Sequence, residues 1–144
     1  LFGINDNFNL ETSHVLPALI RKFHDAKINN KSHVLLWGSG TPKREFLFVD
    51  DLASAVVFSI ENKLNESLYN VGYGTDISIK DVATLIKNIV GYKGDIEWDK
   101  SKPDGTPRKL MDSSKLNNLG WKAKYNLEEG INHTYNWFTQ KINL

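Results

Sequence analysis

The chain has 144 residues, with 18 Lys and Arg against 17 Asp and Glu, a formal net charge of +1. That length suits one domain with a real core, and 40% hydrophobic against 24% charged residues, with 4 Trp, 5 Tyr and 7 Phe, excludes a disordered chain. The near-neutral balance argues against a nucleic-acid binder that works by bulk electrostatics, the absence of Cys excludes disulfides, thiolate zinc sites and Cys nucleophiles, and no apolar run reaches the roughly 20 residues that span a bilayer.

The chain opens at Leu1-Phe2-Gly3 without an initiating Met, and its only Met is Met111. This start reads as the interior of a longer protein, entered just after a strand. It has no basic stretch followed by an apolar one, so no signal peptide is expected and a reducing, cytoplasmic setting is. Residues 3–13 are rich in Asn, Asp, Ser and Gly, which is loop chemistry. Ser13 is the expected N-cap of a helix over 14–27, whose apolar stripe is Leu16, Leu19, Ile20 and Phe23. Pro17 falls in its first turn, where a missing N–H costs little.

Val34-Leu35-Leu36-Trp37 reads as a short strand stopped by Gly38-Ser39-Gly40-Thr41-Pro42. Glu45-Phe46-Leu47-Phe48-Val49 reads as a second strand, and the turn between them is long enough for a hairpin. Asp50 or Asp51 then caps a helix over 51–62 with an apolar face of Leu52, Ala53, Val56, Val57 and Ile60. Leu68-Tyr69-Asn70-Val71 reads as a brief strand before Gly72 and Gly74.

The clearest helix begins at Ser78, with Asp81 completing a short-armed capping box and Gly91 ending it. Its stripe is Ile79, Val82, Leu85, Ile86, Ile89 and Val90. Ile96-Glu97-Trp98 is a short strand, and residues 99–109, with two Pro and one Gly, form a loop. A short helix lies near 113–118. Asn126 and Glu129 cap a final helix carrying Leu127, Ile131, Tyr135 and Phe138. The order is an α/β mixture with too few buried strands for a complete doubly wound domain.

The common phosphate-binding signatures G-x-G-x-x-G and G-x-x-x-x-G-K-[ST] are absent. Gly38-Ser39-Gly40 follows a strand, but no helix opens after it. His14, His24, His33 and His133 are scattered, so no metal site is expected. What stands out is a set of loops with a shared chemistry. One carries Trp37, Lys43 and Arg44; another carries Lys100, Lys102, Asp104, Arg108 and Lys109; the first helix adds Arg21 and Lys22. Cations offset the charge of a diphosphate ester, and an Arg fork matches phosphate oxygens. A carboxylate accepts sugar hydroxyls, and Trp37 offers a flat apolar surface. Together they could hold a nucleotide diphosphate sugar; equally, they could be solvated loops.

The segments NDNF, SHVLPALIRKFHDA, VLLWGSGTPKREFLFVDDLASA, YNVGYGTDISIKDVA and SKPDGTPRKLMDSSKLNNLGW resemble the carboxy-terminal half of the GDP-L-fucose synthases. These are NADP-dependent 3,5-epimerase/4-reductases acting on GDP-4-keto-6-deoxy-mannose, in the extended branch of the short-chain dehydrogenase/reductase superfamily. The resemblance runs over essentially the whole chain. SHVLPALIRKFH and SKPDGTPRK are specific to this enzyme and close relatives, whereas REFLFVDDLA is shared widely among sugar-nucleotide epimerases and reductases.

The resemblance implies a fold: the substrate-binding part of an NAD(P)-binding Rossmann-type protein spanning 1–144, with residues about 45–72 completing the cofactor domain. It also implies roles. His14 matches a histidine beside NADP that acts as an acid in epimerisation, a task that suits an imidazole titrating near neutral pH. Leu1 matches the end of a segment whose backbone contacts NADP. Lys22, Trp37, Arg44 and Asp104 match positions that bind the GDP-sugar: Lys22 and Arg44 neutralise the diphosphate, Asp104 accepts a hydroxyl, and Trp37 packs on the substrate. Lys109 and then Arg108 are further phosphate candidates. Each also has an ordinary explanation: His14 as a first-turn residue, Trp37 as a strand-end core residue, and Lys109 and Arg108 as surface charges.

The glycine-rich cofactor loop, the catalytic Ser and the Tyr-x-x-x-Lys pair of this superfamily belong upstream of Leu1. These residues alone are therefore expected not to turn over substrate, and the full-length protein is expected to be a homodimer without membrane or nucleic-acid partners. Two alternatives stay open: a related GDP-heptose enzyme, and a nucleotide-sugar-binding module without chemistry.

Overall fold

The computed structural model describes residues 1–142. The elements run α1 (Val15–Ile28), β1 (His33–Trp37), β2 (Lys43–Arg44), α2 (Val49–Glu61), β3 (Ile77–Ser78), α3 (Ile79–Val90), β4 (Asp95–Asp99), β5 (Arg108–Lys109), α4 (Ser114–Asn118) and α5 (Leu127–Ile142). α1 packs on α3, and α3 on α5. Their stripes bury Leu16, Leu19, Ile20, Phe23, Val82, Ile86, Ile131 and Phe138 in one core with Phe2, Val34, Leu36 and Phe48. Each such side chain contributes about 1.5–3 kcal/mol on burial.

The caps of α3 and α5 follow the sequence. Ser78 Oγ accepts the Asp81 N–H at 3.0 Å, and Gly91 closes α3 at φ +74°. Asn126 and Glu129 bond reciprocally, at 2.9 and 3.0 Å. At α1 the expected cap is displaced by one residue. His14 is the N-cap, its carbonyl accepting the Ala18 N–H at 3.0 Å, and no side chain caps the helix.

β1 and β4 pair in parallel, from His33 opposite Asp95 to Trp37 opposite Asp99. The expected hairpin between β1 and residues 45–49 is therefore not formed. β4 takes the edge of β1, and left-handed Gly38 and Gly40 (φ +81° and +76°) lead the chain away. Residues 45–48 do not form a second strand beside β1. Phe48 instead bridges Phe2 in parallel, with the Val49 N–H donating to the Phe2 carbonyl at 2.9 Å. Lys43 and Arg44 form β2, flanked by β3 (antiparallel) and β5 (parallel).

A second apolar cluster joins Leu47, Ala55, Leu116 and Trp121, with Leu52, Phe58, Tyr69 and Val71 beside it. The expected strand Leu68–Val71 has no ladder partner; Tyr69 and Val71 pack on this cluster while Leu68 faces solvent. The expected inner face of α2 is corrected in part: Leu52 packs on this cluster as expected, but Ala53, Val56, Val57 and Ile60 are exposed and Asp51 and Ala55 point inward. Hydrogen bonds set this rotation. Buried Asp51 accepts the Lys124 and Tyr125 N–H groups at 2.8 and 3.1 Å, and the Trp121 indole donates to Ser54 Oγ at 3.0 Å.

Asp51 thus fastens α2 to the segment leading into α5. Asp51→Ala strands two backbone donors and should cost about 2–3 kcal/mol. Urea unfolding checks this; a midpoint equal to the unaltered protein's would show the clamp to be unimportant.

Candidate functional site

In parallel sheets, ligands gather outside the carboxyl ends of the strands. Here those ends are Trp37 and Asp99, and from them run the loop to β2 and the loop to β5. Alternation along β1 turns Val34 and Leu36 into the core and His33, Leu35 and Trp37 outward. Trp37 is consequently 69% exposed, which removes the strand-end core explanation for it. Lys22 Nζ and Lys102 Nζ lie 6.0 and 5.6 Å from the centre of its ring. Such cation–π contacts are worth about 0.5–1 kcal/mol at exposed sites, little enough for the ammonium groups to be shared with an anion. Burial pushes the Lys22 ammonium below its ordinary value.

Trp37, Arg44 and Asp104 line one cavity of about 200 Å³, with Val15, Gly40, Pro42, Ile79, Pro103 and Gly105. Arg44 is held from both sides of the loop pair: Nη1 donates to its neighbour Lys43's carbonyl at 2.7 Å and to the Thr106 carbonyl of the facing loop at 2.6 Å. Among the described residues, those bonds leave Nε and Nη2 of the fork uncommitted. Nη2 lies 3.0 Å from where a Cβ on Gly105 would stand, so a side chain there would crowd the guanidinium.

Asp104 is engaged differently from the expectation. Its Oδ1 accepts the Ser39 N–H at 2.8 Å and its Oδ2 accepts the Ser39 hydroxyl at 2.7 Å. Both oxygens therefore already have a donor from the facing loop, and only their remaining lone pairs are available to a hydroxyl.

Lys22 lines a neighbouring groove between α1 and β1, and its tip reaches back over Trp37. Lys109 is the register partner of Arg44 across β2 and β5, but it does not line the Trp37 cavity. Arg108 is ion-paired with Asp76.

His14 and Leu1 meet at a second cavity of about 240 Å³, with Phe2, Gly3, Ile4, Asn5, Asp6 and Val49. The two cavities flank the start of α1, since adjacent residues His14 and Val15 line one each. The helix start carries partial positive charge and no capping side chain to offset it. His24, by contrast, is packed edge-on against Phe138 at 5.2 Å, and His24 Nδ1 lies 3.2 Å from the Tyr135 hydroxyl.

Sequence reasoning missed Ser39, Val15 and Ile79 as parts of this site. Gly38-Ser39-Gly40 was visible as a motif, but its partner is Asp104, sixty-five positions away. Among the described residues no group of three or more His, Asp or Glu could hold a metal ion, and no helix is long and apolar enough to cross a membrane.

Parallel strands joined through helices, with an indole, a guanidinium and a carboxylate gathered at their carboxyl ends, make this an α/β unit of the Rossmann-type superfamily. The NAD dependent epimerase/dehydratase family model matches residues 1–72, and the chain belongs to that family. It is 51% identical to GDP-L-fucose synthase 1 of Arabidopsis thaliana, over 99% of this chain and 44% of that protein. It is 47% identical to GDP-L-fucose synthase of Escherichia coli K12, over 97% of this chain and 46% of that protein. The chain thus spans a little under half the length of these relatives. A solved GDP-L-fucose synthetase from Naegleria fowleri bound to NADP superposes with TM-score 0.91 at 32% identity, covering 99% of this chain and 45% of that one. A GDP-6-OMe-4-keto-L-xylo-heptose reductase from C. jejuni superposes with TM-score 0.88 at 36% identity, covering 97% of this chain and 51% of that one.

The Ser39 hydroxyl, followed by its N–H, holds the Asp104 carboxyl below the ordinary aspartate value. The folded value is lowered, so the bond's contribution is complete above the ordinary range and is lost as pH falls through the folded value. The Ser39 amide resonance should therefore titrate with a midpoint below that of a free aspartate, read by NMR. A midpoint at or above the free value would contradict the pairing.

Proposed function

We propose that the chain is part of an NADP-dependent epimerase/reductase that converts GDP-4-keto-6-deoxy-D-mannose to GDP-L-fucose, and that it supplies the wall that binds the GDP-sugar. The observation that carries this reading is the grouping of Trp37, Arg44 and Asp104 around one cavity with the Lys22 ammonium against the same indole. The names and identities of the relatives support it.

In this reading Lys22 and Arg44 face the diphosphate. An ion pair at about 4 Å is worth roughly 1 kcal/mol in bulk water and 4 kcal/mol near a protein surface, so two partly buried cations matter more than a wider set of solvated ones. Trp37 supplies a flat face to the sugar or base. Asp104 accepts a hydroxyl through the lone pairs Ser39 leaves free. Lys109 stands behind Arg44 as a second source of positive charge.

His14 and Leu1 face the cofactor side. Their cavity combines the aliphatic side chains of Leu1, Ile4 and Val49 with one imidazole, a lining that suits the flat, weakly polar ring of a nicotinamide. NADPH, when bound, supplies hydride to the sugar ketone. Epimerisation removes a proton in turn from each of the two carbons flanking that ketone and returns one to each on the opposite face. His14 donates a proton in that step, as its exposed imidazole can exchange protons with solvent. Turnover further requires a Tyr-x-x-x-Lys pair, which these 144 residues do not contain. Residues about 45–72 complete the cofactor domain, a division that rests on the resemblance to the GDP-L-fucose synthases. The same resemblance supports a cytoplasmic homodimer.

A second reading is a GDP-heptose enzyme, favoured by the C. jejuni structure, with the same GDP-binding residues. The full-length protein, given GDP-4-keto-6-deoxy-mannose and NADPH in heavy water, should oxidise NADPH and place deuterium at two sugar carbons. His14→Gln should slow deuterium incorporation by about a hundredfold or more. Unaltered incorporation would remove His14 from the chemistry, and turnover of a GDP-heptose instead would select the second reading.

A further inference from the structure

The turn Gly38-Ser39-Gly40 is unexplained by phosphate binding, since no helix follows it and its hydroxyl is committed elsewhere. Its bonds point across the site. The Ser39 N–H and hydroxyl each donate to one oxygen of Asp104, at 2.8 and 2.7 Å. The same Ser39 Oγ lies 2.7 Å from Thr41 Oγ1 and accepts the Thr41 N–H at 3.1 Å. The Gly38 N–H donates to the Asp99 carbonyl at 2.9 Å. The loop leaving β1 is thus tied to the loop leaving β4 at two levels.

Both glycines serve this closure. A Cβ on Gly38, at φ +81°, would overlap Asp104 Oδ1. A Cβ on Gly40, at φ +76°, would stand 2.6 Å from the Trp98 ring. Trp37 precedes the turn and Arg44 follows it by two residues beyond Pro42. Arg44 is in turn anchored to the Thr106 carbonyl of the facing loop at 2.6 Å. Moving the two loops apart would move the indole and the guanidinium apart as well.

We infer that Ser39 is a positioning residue of this site: by clamping the Asp104 carboxylate it holds the two loops at the spacing that sets Trp37 and Arg44 for a nucleoside diphosphate. This rests on the GDP-sugar reading above. Ser39 itself acts through Asp104 and not on the ligand.

The test uses the full-length protein with Ser39→Ala, Ser39→Thr and Gly38→Ala. Calorimetry with GDP gives the affinity, and hydrogen exchange read by mass spectrometry follows the peptide spanning residues 38–44. Ser39→Ala should weaken GDP binding by about tenfold and speed exchange in that peptide, because the hydroxyl bond to a charged acceptor is lost while the backbone N–H bond remains. Gly38→Ala should do the same by obstructing Asp104. Ser39→Thr keeps both donors and should restore affinity and protection. Faster exchange with unaltered GDP affinity would overturn the inference alone, as would weaker binding without faster exchange. Failure of the unaltered protein to bind GDP would overturn the GDP-sugar reading, and this inference with it.

Discussion

The parallel pairing of β1 with β4 is the constraint on which the rest depends. It runs through five registered residue pairs and ends with Trp37 opposite Asp99. Parallel strands cannot be joined by a tight turn, so the chain between them must leave, cross and return. That journey places α2 and α3 between the two strands in sequence. It also releases two irregular loops side by side at one end of the sheet. Every polar feature of the Trp37 cavity comes from those loops or from the α1 start beside them.

The helices were the legible part of the fold, because their signals are local. Ser78 with Asp81, Asn126 with Glu129, and Gly91 each declare a helix end within a few residues, and the stripes of α1, α3 and α5 have a clean period. The strands were less legible because their partners are remote. VLLW and EFLFV look like a hairpin, yet nothing in either segment reports that β4 is the better neighbour. Phe48 shows the same limit, since its partner is Phe2. α2 failed for another reason. It has aliphatic residues on two sides, and periodicity cannot choose between them. The choice is made by Asp51, a charged residue that a hydrophobic pattern assigns to the outside and that the Lys124 and Tyr125 N–H groups hold inside.

The site was legible only in outline from residue chemistry. Cations, an indole and a carboxylate on loops suggested a phosphate ester, but any solvated loop pair has similar letters. Resemblance supplied the specific choice of Lys22, Trp37, Arg44 and Asp104. The geometry then separates their roles. Trp37 is open because it shares the parity of Leu35 and not of Leu36. Arg44 is half committed to the loop backbone, and Asp104 is occupied by Ser39. A linear sequence cannot announce that last pairing, which links a turn to a carboxylate on the other side of five intervening elements.

The central claim is that Lys22, Trp37 and Arg44 converge on the diphosphate of one bound nucleotide. A crystal structure of the full-length protein with GDP tests it most directly. The account predicts phosphate oxygens within hydrogen-bonding distance of the Lys22 ammonium and the free N–H groups of Arg44, beside the Trp37 ring. A diphosphate seated elsewhere, with those three side chains still in solvent, would contradict it.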